Sequence, residues 1–159
     1  MKYKIGTGYD FHKLEAGNEF WLGGILIPHY KGSVGHSDGD TLIHAICDAL
    51  LGASNSRDIG YHFPDNDPSL KGIDSKKLLS KTKEIISNKG FSIGNIDCTI
   101  CLEKPKVKDI IPEMQKTLAF VLDIEIDDIS IKATTTEKLG FVGREEGIAA
   151  MATVILQKS

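Results

Sequence analysis

Asp10 and His12 stand two residues apart in Gly8-Tyr9-Asp10-Phe11-His12, so an extended strand would send both side chains to one face. His44 lies in a helix-like run that follows His36-Ser37-Asp38-Gly39-Asp40, and a helix packed beside that strand would bring its imidazole to the pair. One carboxylate and two imidazoles, with a fourth position left for substrate, describe an open catalytic zinc site better than a structural one, which closes with four protein ligands. The same Asp-x-His pair also suits a plain hydrogen-bonded polar pair. Asp40, His44 and Asp48 recur every four residues. Either carboxylate could orient the imidazole, or the three could form a solvated stripe. A second candidate is Thr134-Thr135-Thr136-Glu137. Three hydroxyls and exposed amides at a strand end make a phosphate cradle, and Glu137 could bind a hard cation such as magnesium. The Thr-x-x-Glu spacing equally describes a helix capping box. His62 fits a surface or packing role better than that of a fourth metal ligand.

The elements that must position these groups follow from periodicity. A strand is expected around Lys2 to Phe11, with a neighbouring apolar stretch from Phe20 to Ile27 in which Gly23-Gly24 makes a turn or bulge. His29 to Gly39 reads as loop. A helix follows from Asp38 or Asp40 to Leu51, its acidic start suited to capping. Ser54 to Gly72 is polar and rich in Gly, Pro and Asp, a long loop of the kind that usually carries function. Helices are expected over Asp74 to Asn88 and from Ile110 to Leu122. Strands are expected over Phe91 to Glu103, Asp128 to Ala133 and Ile148 to Gln157, with a loop over Leu139 to Gly147. This pattern predicts an α+β fold, a two-layer sandwich with a four-stranded mixed sheet and helices on one face. The other sheet face is apolar enough to need cover, which an oligomer packing sheet on sheet would supply.

At 159 residues one domain, 1–159, is expected, with 41% hydrophobic and 26% charged residues and a net charge of -3. That balance gives no general attraction to nucleic acid or to acidic membranes. Met1 to Gly6 does not resemble a leader sequence and no apolar run reaches membrane-spanning length, so a cytoplasmic protein is expected. Cys98 and Cys101 match a C-x-x-C spacing, but on a strand they point to opposite faces, and together with Cys47 they are expected as buried, reduced thiols. Gly6-x-Gly8 leads into a strand rather than a helix, and neither a dinucleotide fingerprint nor a P-loop is present.

Gly8 to His12, His36 to Asp40 with His44, Asp58-Ile59-Gly60 with Phe63-Pro64-Asp65, and Lys132 to Gly140 together resemble the 2-C-methyl-D-erythritol 2,4-cyclodiphosphate synthase family of the non-mevalonate isoprenoid pathway. The match is in order and end to end. The resemblance implies zinc on Asp10, His12 and His44, and transition-state stabilisation by His36 and Thr135. It implies substrate binding by Asp10, His12, His36-Ser37, Asp58-Ile59-Gly60, Phe63-Pro64-Asp65-Asn66-Asp67, Phe141 and Arg144 around the methylerythritol phosphate. Lys104-Pro105-Lys106-Val107-Lys108 and Thr134-Thr135-Thr136-Glu137 would hold the cytidine diphosphate, with magnesium or manganese near Glu137. A homotrimer with active sites between subunits is implied, as is a phosphorus-oxygen lyase reaction that closes a cyclic diphosphate and releases CMP. A zinc hydrolase with the same ligands, or a non-catalytic trimeric metal-binding module, are the rival readings.

Overall fold

The structure, a computed structural model, describes residues 2–159, so Met1 of the expected 1–159 domain lies outside the described residues. Strand β1 (Tyr3–Ala16) runs five residues beyond the expected Phe11, and alternation decides what each residue faces. Gly6, Gly8 and Leu14 are buried, Asp10 and His12 are half-buried, and Tyr3, Ile5, Tyr9 and Phe11 are exposed. Phe20–Leu22 (β2) and Ile25–Ile27 (β3) pair only with each other. Gly23 and Gly24 form the two-residue turn between them with φ of 60° and 77°, a conformation glycine adopts at little cost. That hairpin therefore stands apart from the main sheet, and the expected adjacency of the Phe20 to Ile27 stretch to the first strand is corrected. The place beside β1 is taken by a short strand inside the expected loop, Lys31–Val34 (β4).

Three further strands complete the sheet. Phe91–Cys101 (β5), Ile129–Thr134 (β6) and Gly147–Lys158 (β7) join β4 and β1 in the order β4-β1-β7-β5-β6. Only β5 and β6 run parallel, so the sheet is mixed, with five strands rather than four. Helices α1 (Thr41–Ala53), α3 (Ser75–Asn88) and α4 (Ile111–Leu122) bury their apolar stripes together with Ile96, Cys98, Ile100, Ala150, Ala152, Val154 and Leu156 of the sheet. Two single-turn helices, α2 (Ile59–His62) and α5 (Gly140–Gly143), interrupt the loops expected there. Among the described residues the opposite sheet face carries no layer of its own, leaving Ile5 71% exposed beside Tyr9 and Phe11. Among the described residues, no helix is long and apolar enough to cross a membrane. Cys98 is buried and Cys101 half-buried on opposite sides of β5, both free, as is Cys47. Burial pushes the Cys47 and Cys98 thiols up to about 12, which keeps them as inert thiols.

The contact between α1 and β1 has almost no clearance. A Cβ on Gly8 would lie 1.9 Å from the Ala45 carbonyl oxygen, and one on Gly6 2.0 Å from that of Ala49. The Gly6-x-Gly8 pattern is thus a seat for α1. Gly8→Ala is expected to cost at least about 2 kcal/mol, as a methyl forced against backbone does. Gly52→Ala, exposed within α1 with nothing in reach, should be neutral or stabilising by up to about 1 kcal/mol. Denaturant unfolding of the two variants checks the contrast.

Candidate active site

Where α1 crosses the helix-facing side of β1, its first turns bring His44 over Asp10 and His12. Asp10 Oδ2 lies 2.9 Å from His12 Nδ1 and 3.4 Å from His44 Nδ1, and the two rings sit 5.2 Å apart. One ligand atom from each residue falls within 4.8 Å of the others. Asp10 Oδ2 is buried yet makes no hydrogen bond, despite its closeness to both nitrogens. A buried carboxylate oxygen left without a donor is costly, whereas a cation among three lone-pair donors would satisfy it. The donor set, two imidazoles and a carboxylate, fits zinc chemistry.

The surroundings of His44 differ from the expected Asp40/Asp48 stripe. Asp40 is fully buried and serves as the N-cap of α1, accepting from Ile43 N at 3.0 Å. Its carboxylate also takes Gly23 N and Gly24 N, at 3.0 and 2.7 Å, and so ties the β2–β3 hairpin to the helix. Burial raises its pKa in spite of these donors. Asp48 accepts from Ile59 N at 2.7 Å and holds the start of α2. The groups that do meet His44 Nε2 are two hydroxyls, Ser37 Oγ at 3.1 Å and Ser75 Oγ at 2.9 Å, the latter hydrogen-bonded to Asp38. Spacing marks Asp38 only as a possible acidic start of α1, a place Asp40 takes, and marks Ser75 not at all, because the two are 37 residues apart and meet only where the loop before α1 crosses the start of α3. His62 donates from Nε2 to the Ser56 carbonyl at 2.6 Å, away from the triad, in keeping with a packing role.

Asp10, His12, His36, Ser37 and His44 line one cavity of about 560 Å³ with Ile59, Gly60, Phe63, Pro64, Asp65 and Asn66. Asp58 and Asp67 flank it, Asp58 capping α2 through Tyr61 N and Asp67 holding its own turn through Ser69. His36 Nε2 donates to the Asp67 carbonyl at 2.8 Å. The remaining expected residues gather elsewhere. Thr134 closes β6 beside the end of β5, where Leu102 N donates to its carbonyl and Lys138 N to Glu103. No helix begins at Thr134, so the capping-box reading fails; Thr135 Oγ1 instead accepts from Glu137 N at 3.2 Å. Glu137 and Lys138 take left-handed φ of 53° and 64°, strain of the kind that collects at functional segments. Of Lys104 to Lys108 the lysines are exposed, and Val107 packs in the core. Phe141 stacks edge-on against Phe11, and Arg144 pairs with Glu146 at 2.9 Å. In pairing register, Asp10 shares a row with Ala150, Ile100 and Ala133. The triad and the threonine segment therefore sit at the same end of the sheet but three strands apart, roughly 14 Å at the usual strand spacing.

Comparison with known proteins shows what the chain as a whole is similar to. The YgbB family model matches residues 3–157. The chain is 66% identical over 158 residues to the 2-C-methyl-D-erythritol 2,4-cyclodiphosphate synthase of Bacteroides fragilis, covering 99% of each. Among solved structures it resembles the bifunctional IspDF of Campylobacter jejuni at a TM-score of 0.95 and 39% identity; 99% of this chain matches 42% of that one. It also resembles the CDP complex of Plasmodium falciparum IspF at a TM-score of 0.87 and 35% identity, with 99% and 97% covered.

The triad sets a pH dependence for the metal-free protein. For Asp10, burial acts upward but is outweighed by the His12 and His44 imidazoles, leaving it below its usual 3.8. For His44, burial acts downward but is outweighed by Asp10, leaving it above 6.5. The His44 contribution to stability is complete below pH 6.5 and is lost as pH rises through its raised value. The Asp10 contribution is complete above pH 3.8 and is lost as pH falls through its lowered value. Chemical denaturation of metal-free His44→Gln, compared with the unaltered chain across this range, should show the alkaline loss abolished.

Proposed function

The chain belongs to the YgbB family, and on that premise we propose that it converts 4-diphosphocytidyl-2-C-methyl-D-erythritol 2-phosphate into 2-C-methyl-D-erythritol 2,4-cyclodiphosphate and CMP, a step in making isoprenoid precursors. The observation that carries this reading is the Asp10, His12 and His44 cluster at a pocket, in a chain matching synthases of that name along its full length. An oxygen of the 2-phosphate attacks the β-phosphorus and forms the new P–O bond of the ring. The bond from the β-phosphorus to the bridging oxygen breaks, and CMP leaves with that oxygen, as in a phosphorus-oxygen lyase. The attacking group is already an anion at neutral pH, so positioning and charge neutralisation carry the rate rather than a general base.

Asp10, His12 and His44 would hold a zinc ion, which supplies Lewis acidity toward a phosphoryl oxygen when bound. Glu137, whose carboxylate makes no ion pair among the described residues, would hold magnesium or manganese to offset diphosphate charge. His36 has its Nε2–H committed to the Asp67 carbonyl, which orients its ring at the cavity it lines and would set it against the substrate phosphates. The Thr135 hydroxyl oxygen already accepts from Glu137 N, which leaves its hydrogen for the developing charge. Asp58 uses one oxygen on Tyr61 N and keeps the other for a sugar hydroxyl. Lys104, Lys106 and Lys108 offset the charge of the cytidine diphosphate. The methylerythritol part meets Ile59, Gly60 and Phe63 to Asp67. The roles of Phe141 and Arg144 in substrate binding belong to this proposal as well.

The roughly 14 Å between the triad and the Thr135 segment, and the uncovered apolar face of Tyr3, Ile5, Tyr9 and Phe11, support a homotrimer packed sheet on sheet. Each site would then combine the triad of one subunit with the threonine segment of the next. A single domain acting in the cytoplasm completes the proposal.

Metal-loaded protein incubated with the cytidyl substrate should release CMP and give the phosphorus signals of a cyclic diphosphate. Linear products would favour a zinc hydrolase, and unchanged substrate a binding module. His36→Ala and Thr135→Ala are expected to lower kcat by about 100- to 1000-fold. His44→Ala should lose zinc and turnover while keeping the fold. Sedimentation should return three times the 17.4 kDa chain mass; a monomer would remove the shared-site arrangement.

A further inference from the structure

The hydrogen bonds around His44 fix which of its nitrogens carries a proton. Ser75 is fully buried at the first turn of α3. Its hydroxyl donates to Asp38 Oδ1, and its backbone N–H donates to Asp38 Oδ2 at 2.9 Å. Asp38 is itself held by the chain, since its N–H donates to the Ile73 carbonyl at 3.1 Å and its Oδ1 also accepts from Asp40 N at 3.1 Å. A serine hydroxyl has one hydrogen. With that hydrogen given to a carboxylate, Ser75 Oγ can only accept from its other neighbour, His44 Nε2 at 2.9 Å. His44 Nε2 must then carry a proton, so in the neutral imidazole it is Nδ1, the nitrogen 3.4 Å from Asp10 Oδ2, that carries the lone pair.

The same hydrogen bonds constrain Ser37. Its Oγ accepts from Gly39 N at 3.2 Å and lies 3.1 Å from His44 Nε2. Because that nitrogen is a donor, it cannot take the Ser37 hydrogen. Ser37 lines the cavity, so its O–H is free to point into it.

We propose that Ser75 and Asp38 are positioning residues that lock His44 in its Nε2–H tautomer, aiming the Nδ1 lone pair at the cation beside Asp10 and releasing the Ser37 hydroxyl to donate to a substrate phosphate. The inference rests on the zinc reading above for its purpose, though not for its geometry. The Asp38–Ser75 link acts through His44 and touches neither metal nor substrate. Ser75→Ala removes only the hydroxyl, because the Ser75 N–H to Asp38 contact belongs to the backbone and keeps the start of α3 in place.

Two measurements test it. In metal-free, ¹⁵N-histidine-labelled wild-type protein at alkaline pH, imidazole NMR should show His44 protonated at Nε2; protonation at Nδ1 would overturn the proposal. This readout uses no variant and no metal. Competition with a chromogenic chelator should then show zinc affinity about 10- to 100-fold lower in Ser75→Ala, the usual effect of losing a partner behind a ligating histidine. Ser75→Thr, which keeps the hydroxyl, should recover most of that loss. Unchanged zinc affinity in a folded Ser75→Ala protein would overturn the proposal. Failure of wild-type protein to bind zinc would instead count against the proposed function, with the NMR result still deciding the tautomer.

Discussion

Helix α1 lies against β1 at a distance that only hydrogen atoms on two strand positions permit. Gly6 and Gly8 face the carbonyls of Ala49 and Ala45 where a Cβ would fall inside 2.1 Å, so helix and strand pack backbone to backbone. One strand pleat further along, on the same face, the next two inward positions are Asp10 and His12. Because the helix is already in contact, His44, the residue just before Ala45 on the N-terminal side, reaches them. The close seat and the cluster are parts of one packing arrangement, and loosening the first would open the second. Burial then gives the cluster its electrostatic character, since an ion pair of Asp10 and His44 shielded from water holds each group in its charged form.

A second constraint is the entry to α1. The segment Gly35 to Asp40 must carry His36 and Ser37 into the cavity while turning the chain into a helix. Two buried or half-buried carboxylates manage this by accepting backbone N–H groups. Asp40 gathers the β2–β3 turn and the first turn of α1, and Asp38 gathers the start of α3. Each replaces water around amides that the fold would otherwise leave unpaired. Three elements distant in sequence therefore meet at one loop, and the loop holds its chemistry on a rigid frame.

Much of this was legible in the residues. Alternation placed Asp10 and His12 on one strand face, helical spacing placed His44 on α1, and period-two and period-3.6 patterns located the long strands and helices. The errors have physical causes. Lys31–Val34 is a four-residue edge strand of mixed polarity, too short and too exposed on one side for its alternation to stand out from a loop. Phe20 to Ile27 is apolar enough for a strand of the main sheet, yet the Gly23-Gly24 turn folds it onto itself and Asp40 fixes it there. The Asp40, His44, Asp48 repeat is regular in sequence, yet Asp40 and Asp48 serve other elements, because helix periodicity cannot say which neighbouring element a carboxylate serves. Ser75 carried no local signal at all, because its role depends on a tertiary contact with Asp38. The Thr134 to Glu137 segment shows the reverse case, where a capping-box spacing occurs without a helix to cap.

The proposed chemistry depends on which atoms hold the metal. Zinc-edge X-ray absorption of the loaded protein measures this directly. The structure predicts a shell of nitrogen and oxygen at about 2.0–2.1 Å, with imidazole scattering from two histidines and no sulfur. A scatterer at about 2.3 Å, the zinc–sulfur distance, would assign the metal to the cysteines and contradict the role given to Asp10, His12 and His44.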